Sequence, residues 1–229
     1  MQDDLLAIEK LSVSFQEEEA VKDISFSIKR GEVLAVVGES GSGKSVTSLS
    51  ILQLLPIQAS LKGTIFFDND HHKINLASLS SKGLQQIRGN KISMVFQEPM
   101  SSLNPVKSCG SQVLETILLH KKIDKRAAVK QVMNLFEQVQ LPDPDKIFYR
   151  FPNEISGGQK QRVMIAMAMC CQPQLLICDE PTTALDVMVQ EEILLLIKQL
   201  QQTTNMSVLF ISHDINLVAA IADRVAIFY

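Results

Sequence analysis

Residues Val37 to Ser48 read VGESGSGKSVTS. Gly38, Gly43, Lys44 and Ser45 satisfy the pattern G-x-x-x-x-G-K-[ST]. Glycine lacks a Cβ, so the backbone can take left-handed angles and come close to a ligand. Successive backbone N–H groups can then converge on anionic oxygens. A helix starting at Lys44 would add its positive N-terminal end. In that geometry Lys44 reaches the β- and γ-phosphates of a nucleotide and Ser45 ligates Mg²⁺. The bland alternative is a glycine-rich turn with a solvated lysine. The flanking sequence decides against it, because the stretch follows a buried strand and precedes a helix. The nucleotide-contacting set is therefore Gly38, Ser40, Gly41, Ser42, Gly43, Lys44, Ser45 and Val46.

Working outward, GEVLAVVG before the loop is continuously apolar, as in a strand buried on both faces. KSVTSLSILQLL after it reads as a helix. LLAIEKLSVSF and VKDISFSIKR alternate apolar and polar residues, which predicts two half-buried antiparallel strands. GTIFF and KISMVF are further short strands. Val129, Val132, Met133, Phe136 and Val139 recur at helical spacing, whereas LPDPDKIFYRFPNE reads as a loop punctuated by prolines. A strand–helix rhythm resumes with QLLICDEP, VMVQEEILLLIKQL, MSVLFISHD, INLVAAIAD and RVAIFY. Such alternation predicts an α/β fold with a parallel sheet covered on both faces.

A net charge of −3 gives no basic footprint for nucleic acid and no polybasic membrane patch. No apolar run is long enough to span a bilayer, and the acidic MQDD start lacks the positive region of a secretory signal. A cytosolic chain is expected. Cys109, Cys170, Cys171 and Cys178 form no C-x-x-C pair, so reduced, mostly buried thiols are expected rather than a metal site. DNDHH, with His71 and His72, reads as a solvated turn between strands.

Two further stretches carry chemistry. LLICDE puts Asp179 and Glu180 at the C-terminal end of a buried strand, where parallel sheets bind ligands. Asp179 can hold Mg²⁺ through its water shell, and Glu180 can polarise an attacking water. ISGGQKQR, from Ile155 to Arg162, is a second glycine pair opening a helix. One nucleotide does not need two such loops from one chain. Two chains, each offering this stretch to the other's nucleotide, would use both.

Together these residues resemble the ATP-binding cassette family over essentially the whole chain. GESGSGKS looks like the Walker A motif, LLICDE the Walker B motif and ISGGQKQR the signature. VFQEP resembles the Q-loop with Gln97, TALD the D-loop with Asp186, and ISHD the switch histidine His213. Phe15 stands where the family places an aromatic against adenine. The resemblance implies a P-loop NTPase (RecA-like) parallel-sheet core with an antiparallel β subdomain and an inserted α-helical subdomain. It divides one domain, 1–229, into a core of 1–96 and 164–229 and a helical part of 97–163. It implies ATP and Mg²⁺ as ligands. Glu180, His213 and Gln97 would be catalytic. Gln97 would also sense the metal held by Ser45 and Asp179. Ser156, Gly157 and Gly158 would close over the partner chain's ATP, and Asp186 would couple the two sites.

The finer resemblance, carried by RGNKISMVFQEPMSSLNP and DEPTTALDV, is to ATPase subunits of oligopeptide, dipeptide and nickel importers and to the first halves of tandem ATPases. It implies a second ATPase domain and integral membrane permeases as partners, with an extracytoplasmic substrate-binding protein acting indirectly. The place implied is the cytoplasmic face of the plasma membrane. Ile155 departs mildly from the leucine or phenylalanine usual before the signature serine. The chain stops at Tyr229 inside a predicted strand, where the resembled subunits continue, so a shortened chain is expected. A soluble relative in DNA repair or translation, or a degenerate cassette, is the competing reading. The acidic balance and the intact motifs speak against both.

Overall fold

The computed structural model describes residues 4–97, 102–183 and 185–229. Five parallel strands form the centre: β3 (Val33–Gly38), β6 (Ile92–Val95), β7 (Leu175–Asp179), β8 (Ser207–Ile211) and β9 (Arg224–Phe228), in the order β6-β7-β8-β3-β9. A second sheet is antiparallel. It is built from β1 (Asp4–Phe15), β2 (Glu18–Lys29), β4 (Ala59–Asn69) and β5 (His72–Asn75), in the order β2-β1-β4-β5. The predicted pairing of the first two strands is present, with Val13 opposite Val21 and Ile8 opposite Phe26.

The continuous apolar runs have a simple physical origin. Successive side chains of a strand point to opposite faces. In β3, Val33, Ala35 and Val37 enter one core while Leu34 and Val36 enter another. In β7, Leu176 and Cys178 face the first core and Leu175 and Ile177 the second. β8 divides the same way, with Val208 and Phe210 against Leu209 and Ile211. One core lies under the helices. The other lies under the antiparallel sheet, with Leu6, Ile8, Ile65 and Phe67 opposite. Both faces of β3, β7 and β8 are dry, so these strands do not alternate with polar residues, whereas the edge strand β9 leaves Val225 and Ile227 exposed.

The helices are α1 (Lys44–Ile51), α2 (Ser81–Ile87), α3 (Cys109–His120), α4 (Lys125–Gln138), α5 (Pro144–Tyr149), α6 (Gly157–Met169), α7 (Val187–Thr204) and α8 (Ile215–Ile221). In α4 the expected stripe is buried at Val132 and Phe136, and Val139 follows just past its end. Asp124 caps its start by accepting from the Ala127 amide. The stretch read as a proline-punctuated loop is a correction: it contains α5 and a 3-10 turn at Pro152–Glu154. Pro144 occupies the first turn of α5, where a missing N–H costs nothing and the ring presets the helical φ. Ile147 and Phe148 of α5 are buried. A Cβ on Gly110 would lie 2.2 Å from the Phe148 ring, so the ring rests on the bare backbone of α3. Helix α2 was also not foreseen from the sequence.

The DNDHH segment is the β4–β5 hairpin turn, with Asp70 and His71 left-handed at φ 53° and 69°. Asp68 pairs with Arg30 and Asp70 with Lys91, each at 2.7 Å. The four cysteines are free and buried. Among the described residues, none group with His, Asp or Glu as metal ligands, and no helix is long and apolar enough to cross a membrane.

Candidate nucleotide-binding site

β3 ends at Gly38 and α1 begins at Lys44, so the glycine stretch is the turn between them. Gly41 and Gly43 are left-handed, at φ 87° and 85°. A Cβ on Gly43 would sit 2.6 Å from the Ala20 carbonyl oxygen, so the loop lies against β2. Six of the described helices have side-chain caps at their N-termini: Ser80 for α2, Ser108 for α3, Asp124 for α4, Ser156 for α6, Asp186 for α7 and Asp214 for α8. The α1 terminus has Gly43 instead and no side-chain cap. Its first-turn N–H groups suit an anionic acceptor from outside the chain. Lys44 is 6% exposed. Its ammonium donates to the Gly38 and Glu39 carbonyls at 2.8 and 2.6 Å and to Ser42 Oγ at 3.3 Å. The cation is thus held within the loop. Ser40 and Gly41 are exposed on its outer side, and Val46 is half-buried in α1.

Ser45 Oγ donates to Asp179 Oδ1 at 3.0 Å, joining the start of α1 to the end of β7. Ser48 Oγ, one turn further along α1, approaches Asp179 Oδ2 at 3.4 Å. Asp179 is 5% exposed. Burial is the main cause that raises its pKa, the Glu180 charge adds to this, and the two serine hydrogen bonds and Lys44 oppose it. A serine hydroxyl and a carboxylate beside a phosphate cradle are hard-oxygen donors, and they fit Mg²⁺.

Glu180 follows at once, with its backbone left-handed at φ 46°. Its N–H donates to the Ile211 carbonyl at the end of β8, at 3.0 Å. Three side chains converge on its carboxylate. Gln97 Nε2 and Thr183 Oγ1 each donate to Oε2 at 3.0 Å, and His213 Nδ1 lies 3.3 Å from Oε1. These partners come from beyond β6, from the turn after β7 and from beyond β8. The edge where three parallel strands end therefore gathers Gln97, Asp179, Glu180 and His213 at the mouth of the glycine loop. Thr183 and Ser48 were not anticipated. Their signal was spacing alone, each standing three residues after a predicted site residue.

Ser156, Gly157, Gly158 and Asp186 are elsewhere. Ser156 and Gln159 form a reciprocal cap on α6, at 3.0 and 3.3 Å. A Cβ on Gly158 would lie 2.9 Å from Val189 in α7, and one on Gly157 3.4 Å from Leu185. Asp186 caps α7 by accepting from the Val189 amide at 3.0 Å. Among the described residues, no hydrogen bond joins these four to Lys44, Ser45, Asp179 or Glu180. Ser156 and Gly157 are exposed. Phe15 ends β1 opposite Glu18 and Ala59, half-buried at the hairpin whose β2 strand touches Gly43.

The profile of the ABC transporter family matches residues 21–183. The oligopeptide transport ATP-binding protein OppD of Bacillus subtilis is 47% identical over 98% of the chain, which spans 63% of that protein. The dipeptide transport ATP-binding protein DppD of the same organism is 47% identical over 98% of the chain, which spans 68% of it. The glutathione import ATP-binding protein GsiA of Escherichia coli O157:H7 is 45% identical over 98% of the chain, which spans 37% of it. Among solved structures, the dimeric post-hydrolysis state of the ATP-binding cassette MJ0796, bound to ADP and Pi, superposes with a TM-score of 0.83 at 28% identity, covering 97% of this chain and 94% of that one. The cbiO1 protein of Clostridium perfringens, part of the ABC transporter complex cbiONQ, gives 0.82 at 30% identity, covering 99% and 85%. With the glycine loop, the Ser45–Asp179 link and the Glu180 cluster on one sheet edge, the chain belongs to the ABC transporter family.

Proposed function

We propose that this chain binds and hydrolyses ATP and powers import of peptide-like substrates through a membrane permease. The observation that carries the reading is the convergence of Gln97, Thr183 and His213 on Glu180, beside the Ser45–Asp179 link. The phosphates lie in the cradle of Gly38, Ser40, Gly41, Ser42 and Gly43, over the start of α1 at Lys44 to Val46. Lys44 exchanges its bonds to the loop carbonyls for phosphate oxygens. Phe15 stacks on the base. Ser45 and Asp179, with Gln97 nearby, would hold Mg²⁺, which would neutralise charge on the phosphate oxygens when bound. Glu180 accepts a proton from the attacking water, and His213 orients Glu180 and touches the terminal phosphate. The products are ADP and phosphate.

Ser156, Gly157 and Gly158 present the exposed start of α6 to ATP on a second ATPase domain, and Asp186 couples the two sites. The relatives' roles in oligopeptide, dipeptide and glutathione transport support a peptide-like cargo. The 97–163 part passes closure to the permeases from the cytoplasmic face of the membrane, and an extracytoplasmic binding protein delivers the cargo. The test is a gentle pull-down of the tagged protein from native membranes, read by mass spectrometry. Two multi-span permeases with an ATPase partner are expected. Soluble proteins alone, under every nucleotide condition, would sink the transport reading.

A further inference from the structure

Three charged side chains are buried among the described residues: Lys44, Asp179 and Arg162, at 6%, 5% and 8% exposed. The first two belong to the nucleotide site. Arg162 does not, and the proposed ATPase leaves it without a task. Burying a guanidinium costs free energy unless its donors are met. Here they are met from two neighbouring helices. Nη1 donates to the Val139 carbonyl at 2.9 Å and to Gln140 Oε1 at 3.4 Å, both just past the end of α4. Nη2 donates to Glu192 Oε2 of α7 at 2.9 Å. Gln140 Nε2 in turn donates to Gln199 Oε1, further along α7, at 3.3 Å.

The contacts of α6 with α7 advance together along both helices. A Cβ on Gly157 would lie 3.4 Å from Leu185, just before α7, and one on Gly158 2.9 Å from Val189. Arg162, one turn beyond Gly158, meets Glu192, one turn beyond Val189. Both helices therefore leave this contact in the same direction, and their starts, capped by Ser156 and Asp186, lie at the same end. The two glycines let α6 approach closely but bring no side chain to interlock with α7. Such a contact sets distance and not register. The planar fork of Arg162 sets the register, because its donors face acceptors on α7 and beyond α4 at fixed angles. Gln190 belongs to the same unit. Its Nε2 donates to the Thr182 and Leu185 carbonyls at 3.2 and 3.0 Å, holding the turn before Asp186 against α7.

We propose that Arg162 is a positioning residue that locks the starts of α6 and α7 into one rigid face, so that Ser156 and Asp186 reach a second ATPase domain together. The inference rests on the two-domain reading above. Arg162 touches no nucleotide and acts through the placement of Ser156. A lysine in its place keeps the charge, but a single ammonium cannot reproduce the fork that spans α7 and the end of α4.

The test uses the full chain carrying Glu180→Gln, which should hold ATP with little turnover. Arg162→Lys, Glu192→Gln and the two together are added to it. Light scattering against concentration gives the dissociation constant of the ATP-bound dimer. Fluorescent-nucleotide titration of the dilute monomer gives ATP affinity. The Glu192 side chain is 59% exposed, so Glu192→Gln keeps the fold. Arg162→Lys should weaken the dimer about tenfold and Glu192→Gln about threefold, with ATP affinity within about twofold of the parent. The pair should weaken it no more than Arg162→Lys alone, because both changes remove one contact. A role in stability alone would lower the melting temperature and leave the dimer constant of the folded chain unmoved. Dimer constants equal to the parent's, additive losses in the pair, or a matching loss of ATP affinity in the monomer would each overturn the proposal. A Glu180→Gln parent that stays monomeric with ATP would overturn the two-domain reading, and this inference with it.

Discussion

Glu180 and Asp179 are adjacent acids held in opposite ways. Asp179 is enclosed, with two serine hydroxyls beside it. Glu180 swings out of the strand through a left-handed backbone to meet Gln97, Thr183 and His213. A non-glycine residue in that region costs of order 1–3 kcal/mol and persists where surrounding bonds over-determine it. Replacing Glu180 with Gln keeps the shape and removes the proton acceptor. Turnover of Glu180→Gln should fall by about 10²–10⁴ while ATP affinity holds; fluorescent-nucleotide titration beside a phosphate-release assay reads both. Wild-type-like turnover would remove Glu180 as the catalytic carboxylate. Asp179 makes a pH prediction. Its folded pKa is raised above the ordinary 3.8, so the folded state binds its proton more tightly than the unfolded chain does. Stability therefore falls as pH rises from about 4 through the raised value. Asp179→Asn removes this penalty. In the absence of nucleotide its melting temperature should exceed the parent's at pH 7, with the gap closing toward pH 4. Thermal melts across that range check it, and a gap that widens on acidification would contradict it.

At the scale of elements, α3 and α5 meet without a side chain between them. The Phe148 ring lies where a Cβ on Gly110 would be. Gly110→Ala is favoured by helix propensity, by about 1 kcal/mol. It is opposed by overpacking, which costs roughly 1–3 kcal/mol and more where the neighbour is a rigid ring. At 2.2 Å the overpacking wins. Denaturant unfolding should show a net loss of about 1–2 kcal/mol with nucleotide affinity unchanged, since neither helix carries a residue of the candidate site. A neutral or stabilising Ala would mean that Phe148 can swing aside. The glycine loop behaves in the opposite sense. Gly43 has both a left-handed φ and a backbone oxygen 2.6 Å from any added Cβ. Gly43→Ala should therefore displace the loop from β2 and weaken ATP binding before it harms the core, as nucleotide titration and melting curves of one variant would show.

At the scale of the molecule, two surfaces stand apart, joined by no hydrogen bond among the described residues. The glycine loop with Glu180 gathers at the edge where β3, β7 and β8 end, while Ser156 and Gly157 lie exposed at the start of α6. If each completes the other across a dimer, ATP binds both halves and shifts the population toward the closed pair. Glu180→Gln with ATP should double in mass by light scattering and return to a monomer when ATP is removed. Ser156→Arg in the same background should bind ATP and stay monomeric. Ser156 is exposed, so the larger side chain is accommodated in the single chain. Dimerisation of that double variant would show that the start of α6 does not meet the second nucleotide.

The alternation of strands and helices and the buried character of β3 and β7 are legible in consecutive residues alone. The sequence also located the glycine loop, because glycine spacing, strand hydrophobicity and helix onset are local properties of consecutive residues. It marked Asp179, Glu180, Gln97 and His213 as separate candidates. It misread α5, since prolines that open a helix and prolines that interrupt one look alike until Phe148 finds Gly110. That Gln97, Thr183 and His213 share one carboxylate, and that Ser48 joins Ser45 on Asp179, comes from the three-dimensional packing. It also divided each central strand's apolar residues between a helical core and a sheet core. Those facts depend on which strand lies beside which. Strand order is set by long-range packing of faces that are all equally apolar, and no local pattern along the chain distinguishes one such neighbour from another.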